Sequence, residues 1–383
     1  MKIAFLTPEY PHSKFANPGG IGTSIMNLSH GLVNAGHKVT VLIYGQAKDE
    51  LFEEEGIVFY CVKNIKIKGL SWFLTRKKLE RIINKLYLER KIDLVEAPDW
   101  TGITSFIKPK CPVIIRQNGS DTYFCHLDGR SVKFANRYHE KRALKNADAL
   151  IAVSQFTGEL TNSLFGLQRE FAVIPNAIDV DLFDELAENQ SMTNEILYFG
   201  SLIRKKGLLE LPHIFNILAE RYPEAKLTLI GRDVADIVSG SPSTWKMMQA
   251  LFSEKALKKV NYMGSVDYDS VKKHISRAAV CVFPSFAEAL PVSWLEAMAM
   301  KKPVVASNIG WALEMIENGK DGFLVDPKDH LLYANKIGKL LDSSELRTTV
   351  GEYARIKVTE KFSVQSTLQR NIDFYKSILK DEL

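Results

Sequence analysis

Residues 281–300 read CVFPSFAEALPVSWLEAMAM, and they decide the fold. The run 279–284 (AVCVFP) has the length and β-branched content of a strand buried on both faces. Pro284 ends it, a loop carries Ser285 and Glu288, and a helix starts near Pro291. Proline suits a first helical turn because its missing N–H would have had no intrahelical partner there. The amides of Leu290, Val292 and Ser293 then sit at a helix N-terminus, which suits a diphosphate. Glu288 lies just before that terminus and Glu296 about one and a half turns inside it. Carboxylates accept two donors each, so the pair suits the hydroxyls of a sugar and a ribose on either side of a pyrophosphate. Taken alone, the two glutamates have an equally ordinary explanation in the helix dipole and a surface position.

Outward from this stretch the same alternation of short apolar runs and helix-period segments fills the chain. Strands are predicted at 2–7, 38–44, 57–62, 92–97, 112–116, 148–153 and 171–174, then at 195–200, 225–230, 260–263, 279–284, 303–306 and 322–325. Helical pattern resumes from about 328. Such alternation means α/β with doubly wound parallel sheets. With 383 residues and 46% hydrophobic content, the chain is long enough for two cores. The polar, acidic segment 176–194 is the expected hinge. It divides a Rossmann-like domain at 1–176 from a second at 177–365, with ligands bound where the two sheets face each other across a cleft. The amphipathic stretch 366–383 is expected to pack back on the first domain.

Bulk features exclude several classes. A net charge of +5 is too mild for a nucleic-acid-binding surface. Cys61, Cys111, Cys125 and Cys281 show no zinc spacing and are read as reduced thiols. The opening MKIAFLTPEYPHS is not a signal peptide, and no run reaches the length of a membrane span, so the expected place is the cytoplasm. The closing Lys380-Asp381-Glu382-Leu383 matches a lumenal retention tail, which matters only to a protein already in the lumen; it is read as coincidence. Gly19-Gly20-Ile21-Gly22 lacks the third glycine of a dinucleotide fingerprint and follows its strand by some ten residues, so it is read as a loop before a helix at 21–35.

The E-x7-E spacing, the PSFAEALP lead-in and the following EAMAMKKPVVAS closely resemble the donor-site motif of retaining glycosyltransferases of family 4, which have the GT-B architecture. Further landmarks recur in order: PNAIDVDLF (175–183), LYFGSLIRKKG (197–207), LTLIGRD (227–233), YMGSV (262–266) and NGKDGFLVDP (318–327). The resemblance implies that Glu288 contacts the transferred sugar and Glu296 the donor ribose. It places Ala289, Leu290, Pro291 and Val292 on sugar hydroxyls and phosphate, and Lys206 on the departing pyrophosphate. Gly19, Gly20, Ser201, Arg204 and Gly231 complete the donor-binding set it implies. The donor would be a UDP-sugar ahead of a GDP- or ADP-sugar, with no obligatory cofactor or metal. The acceptor would be a saccharide or lipid-linked sugar. Physical chemistry agrees for Lys206, since breaking a glycosyl–phosphate bond leaves negative charge that a fixed cation stabilises.

Two positions depart from the family pattern. Asn118 stands where a histidine is common near the sugar, and an amide cannot take a proton. A front-face retaining reaction, in which the leaving phosphate receives the acceptor's proton, does not need one. Ser201 stands where an arginine often follows the glycine, with Arg204 nearby as a replacement. Asp99 and Asp121, at strand ends, are acceptor-binding candidates, with capping as their ordinary alternative. Asp179-x-Asp181 is read as an acidic turn rather than a metal site. The basic stretch 63–91, with Trp72, Phe73, Leu74, Ile82, Ile83 and Leu86 interleaved, suits either an anionic membrane or a surface helix resting on a sheet. Two other functions stay open: a nucleotide-sugar epimerase of the same architecture, and a catalytically silent sugar-nucleotide-binding subunit.

Overall fold

The computed structural model describes residues 1–15, 19–183 and 194–380. Most of the expected hinge (184–193) and the last three residues of the KDEL end lie outside the described residues. The chain forms two units, Met1–Ile178 with Val364–Leu383, and Asp179–Ser363.

In the first unit the apolar runs become β1 (Lys2–Thr7), β2 (Lys38–Gln46), β3 (Glu50–Glu54), β4 (Ile57–Lys63), β5 (Leu94–Pro98), β6 (Val113–Gln117), β7 (Ala149–Ala152) and β8 (Ala172–Val173). Their order across the sheet is β3-β4-β2-β1-β5-β6-β7-β8. Side chains alternate between faces along a strand. Ile3 and Phe5 therefore join Leu28 and Leu32 on one face, while Ala4 and Leu6 join Leu79, Ile83 and Leu86 on the other. Both faces are covered, as the near-continuous apolar runs require. Leu79, Ile83 and Leu86 belong to the helix Ser71–Leu88, so the main apolar face of the basic stretch rests on the sheet. Ile67, Leu70 and Trp72 at its N-terminal end stay exposed.

The sequence pattern missed β3. It pairs antiparallel with β4 at the sheet edge, setting Phe52 opposite Phe59 with stacked rings 4.9 Å apart. Its three glutamates gave it the look of a polar loop. The helix expected at 21–35 is Gly20–Asn34, so Gly20 starts the helix and Gly19 is its cap residue, a correction to the loop reading.

The second unit contains β9 (Glu195–Phe199), β10 (Lys226–Ile230), β11 (Val260–Tyr262), β12 (Val280–Phe283), β13 (Val304–Ser307) and β14 (Phe323–Val325), all parallel, in the order β11-β10-β9-β12-β13-β14. Three helices close the chain: His330–Asp342, Ser344–Phe362 and Val364–Lys380. The last lies on the first unit's sheet, with Ile372 and Tyr375 in that core. Among the described residues no helix is long and apolar enough to cross a membrane.

In open α/β sheets ligands bind beyond the strand C-termini, where the strand order reverses. Those points fall between β1 and β5 in one unit and between β9 and β12 in the other.

Candidate active site

At the second unit's switch point, the loops after β9 and β12 are bonded to one another. The amides of Phe286 and Ala287 both donate to the carbonyl of Lys205, at 2.8 and 3.2 Å. Gly207 makes the close approach possible. Its φ is +69°, and a Cβ there would stand 1.8 Å from the Pro284 carbonyl oxygen. Gly231, after β10, has φ +143° and would set a Cβ 2.0 Å from the Gly200 oxygen. Gly207→Ala is expected to cost about 2 kcal/mol in strain and to push the two loops apart. Its melting temperature and nucleotide affinity should fall together; an unchanged melt would contradict the packing described.

The approach brings Lys206 Nζ within 3.2 Å of Glu288 Oε1. The Ser285 hydroxyl donates to the same oxygen at 3.3 Å. Glu296 is 7% exposed and accepts from the Tyr268 hydroxyl at 2.8 Å. Burial pushes the Glu296 carboxyl up to about 7, against the opposing pull of Tyr268 and of the Lys206 charge. One ammonium therefore acts on both carboxylates. The helix Val292–Ala299 starts beside them with Pro291 at its cap position and no side-chain cap. The amides that open a helix, here those of Val292 and Ser293, have no intrahelical acceptors. Ala289, Leu290 and Val292 are buried in the lead-in. Together these groups form a cradle for a substrate with hydroxyls at two points and negative charge between them.

Other residues of the predicted donor set stand apart from this cluster. Arg204 is engaged by Asp236 through Nε at 2.8 Å and Nη2 at 2.6 Å, which holds the Asp236 carboxyl well below the usual range. That ion pair fixes the fork beside the loop after β9. Ser201 offers its carbonyl to the Tyr198 hydroxyl at 3.0 Å.

In the first unit, Glu9 follows β1 and accepts from the Gly22 amide at 3.0 Å. The glycine-led helix start at Gly19 and Gly20 thus has a carboxylate of its own chain. Asn118 is held through its side-chain oxygen by Asn176 at 3.1 Å, and Asn176 accepts from Ser24 at 2.7 Å. Asp99 follows β5. It is wholly buried, accepts from the Asn118 amide at 3.0 Å, and is pushed up to about 8 by burial and by Glu140. Asp121 is half-buried at a helix start and accepts from Asn136 at 2.9 Å. Asp179 accepts from the Asp181 amide at 3.2 Å, the acidic turn expected.

Two family models account for most of the chain: Glycosyltransferase Family 4 over residues 18–182 and Glycosyl transferases group 1 over 182–357. The chain belongs to the family 4, group 1 glycosyltransferases. An uncharacterised glycosyltransferase of Methanocaldococcus jannaschii is 28% identical over 98% of each chain. A sucrose-phosphate synthase from Thermosynechococcus elongatus superposes with a TM-score of 0.80 at 19% identity over 100% of each chain. The Anabaena protein HepE in complex with UDP-glucose gives 0.74 at 20% identity, covering 98% of this chain and 100% of its own. These likenesses show the GT-B fold.

Several groups in each unit of this glycosyltransferase escaped the sequence reading. Tyr268 lies 28 residues before its partner Glu296, a separation with no pattern. Glu140 accepts from the amides of Thr101, Asp121 and Thr122 and joins two loops, yet on its own helix it looks like any surface glutamate. Asn176 sits in the quoted motif PNAIDVDLF, so a signal was there.

Proposed function

We propose that this glycosyltransferase is a retaining enzyme that moves a sugar from a nucleotide-diphosphate donor to a saccharide or lipid-linked acceptor, in polysaccharide, lipopolysaccharide or other glycoconjugate synthesis. The single observation that carries the reading is the Lys206–Glu288 contact beside an uncapped helix N-terminus at the β9/β12 switch point. Lys206 and the first amides of Val292–Ala299 hold the diphosphate. The glycosyl–phosphate bond breaks, its electron pair leaves on the phosphate oxygen, and Lys206 stabilises that charge. The acceptor hydroxyl forms the new bond on the same face, and its proton passes to the leaving oxygen. Glu288 meets the sugar and Glu296 the ribose hydroxyls. Asn118 takes no proton in this scheme, in keeping with its place in the Ser24–Asn176–Asn118 chain. The UDP-glucose complex of HepE supports a UDP-sugar ahead of GDP- or ADP-sugars. A peripheral membrane contact through 63–91 would rest on Ile67, Leu70 and Trp72.

Glu296→Gln provides the test. The variant keeps an acceptor for Tyr268 and removes the buried charge. A carboxyl raised from 4.5 to about 7 holds its proton better in the fold than in the unfolded chain. Its contribution to stability is therefore lost as pH rises through that window. At pH 8 the empty variant should be more stable than the wild type by on the order of 2–3 kcal/mol. Yet UDP should raise its melting temperature far less, because the ribose hydroxyls lose an ionised acceptor. Wild-type affinity should fall below pH 7 more steeply than that of the variant. A panel of nucleoside diphosphates that leaves the wild-type melting temperature unmoved would overturn the reading.

A further inference from the structure

The first unit has a cavity of about 420 Å³, lined by Tyr44, Trp72, Arg76, Thr101, Asn136 and His139 among others. It opens beyond the ends of β2, β4 and β5, on the ligand-binding side of the sheet.

Three features mark it as built for a ligand. Arg76 is 7% exposed, and each hydrogen bond the structure gives it runs to a backbone carbonyl: Trp72, Thr101 and Gly102. Those are three bonds for five N–H donors, and its Nε has no partner among the described residues. A buried guanidinium without a carboxylate is unfavourable unless an anion answers it. The second feature is Tyr44, whose hydroxyl oxygen is shut off from solvent and also unpartnered. The third is Thr101, a β-branched residue held at φ +53° over the cavity, with its amide tied to Glu140 at 3.2 Å. Backbone strain of this kind gathers at binding sites.

The lining also has the shape chemistry of a sugar site. Trp72 is 42% exposed and meets the His139 ring at 4.9 Å, with the Arg76 guanidinium 5.4 Å from its own ring. An aromatic face of this kind packs on the apolar side of a pyranose. Burial, Arg76 and Arg142 hold the His139 imidazole below its usual range, so at neutral pH it is an uncharged hydrogen-bonding group whose Nδ1 meets Ser105 Oγ at 3.1 Å. Asn136 connects the lining to Asp121.

We propose that this cavity is the acceptor subsite and that it takes a small saccharide bearing an anionic group, with Arg76 and Tyr44 on the anion and Trp72 against the ring. A phosphate and a uronic carboxylate share the chemistry that a guanidinium fork reads. Only the word acceptor rests on the transferase reading. The binding itself is measured without nucleotide, and the Glu296 experiment reports on the other unit, so failure of one leaves the other standing.

The experiment is calorimetric titration of the full chain with glucose 6-phosphate, glucuronate, glucose and inorganic phosphate. At least one charged sugar should bind about 10–100-fold more tightly than glucose, and Arg76→Met should abolish that advantage. Whichever charged sugar wins identifies the anion as phosphate or carboxylate. Trp72→Ala, at a half-exposed position, should weaken the charged sugar while leaving inorganic phosphate unchanged. Equal binding of glucose and the charged sugars would overturn the proposal, as would binding of inorganic phosphate alone or of nothing. So would a folded Arg76→Met variant with wild-type affinity. Should that variant fail to fold, undiminished charged-sugar binding by Trp72→Ala overturns it instead.

Discussion

Lys206→Met is expected to lower kcat by about two to three orders of magnitude while changing the donor's KM far less. In the proposed reaction the ground-state diphosphate is held by several groups, among them the first amides of Val292–Ala299, so losing one cation should weaken binding modestly. The charge that appears on the leaving oxygen exists only in the transition state, and an interaction made only there shows in kcat. Geometry sharpens the expectation. Lys206 Nζ sits 3.2 Å from Glu288, and its charge also reaches Glu296. Without it the buried Glu296 carboxyl loses the positive charge that opposes its protonation. The variant's rate should therefore rise less steeply with pH than its donor affinity does. Lys206→Arg should rescue little, because a planar fork cannot take the place of a point charge beside Gly207. Steady-state kinetics with a UDP-sugar would check this. A variant within threefold of the wild-type kcat would remove Lys206 from the chemistry.

The parts of this fold that were legible in the sequence are those set by local chemistry. Val280–Phe283 is a four-residue apolar run, ended by Pro284 and buried on both faces, and such a run has few alternatives to a central parallel strand. Glu288 and Glu296 were legible for the same reason. Their spacing along one loop and helix survives folding, so a one-dimensional pattern carries the candidate pair. What stayed hidden depends on distance along the chain. Phe52 earns its strand only by meeting Phe59 across the edge of the sheet. Arg76 belongs to a basic run that looks uniformly solvated, while packing against the 101–102 loop buries it. Asp99 looked like a reachable strand-end carboxylate, yet it is buried against Asn118, 19 residues further on, and Glu140 on the helix Phe134–Asn146. Charged residues are where sequence patterns mislead most, because partners rather than neighbours decide whether a charge is buried.

Arg116→Met should destabilise the protein by about 3–5 kcal/mol and loosen the C-terminal helix. Arg116 and Glu96, both almost fully buried, meet through Nε–Oε1 at 2.7 Å and Nη2–Oε2 at 3.0 Å. Two residues of Val364–Lys380 complete the set. Asn371 accepts from Arg116 at 2.6 Å, and the Tyr375 hydroxyl donates to Glu96 at 2.7 Å. A fourth bond from Arg116 runs to the Ile174 carbonyl at 3.1 Å, just ahead of the crossing at 178. The pair therefore ties β5, β6, the end of the first stretch of chain and the returning helix into one buried polar knot. Removing the cation leaves the Glu96 carboxylate enclosed, with only Tyr375 among the described residues hydrogen-bonded to it. Removing both charges is a different matter, since an apolar or neutral pair of similar volume avoids the desolvation that the ion pair must overcome. The double variant Glu96→Gln/Arg116→Met should recover most of the loss, leaving a coupling of several kcal/mol between the two sites. Urea unfolding reads the energies, and limited proteolysis at the segment after Phe362 reads release of the helix. A loss below 1 kcal/mol in the single variant, or strict additivity in the double, would mean that Ile372 and the apolar face hold the helix without this knot.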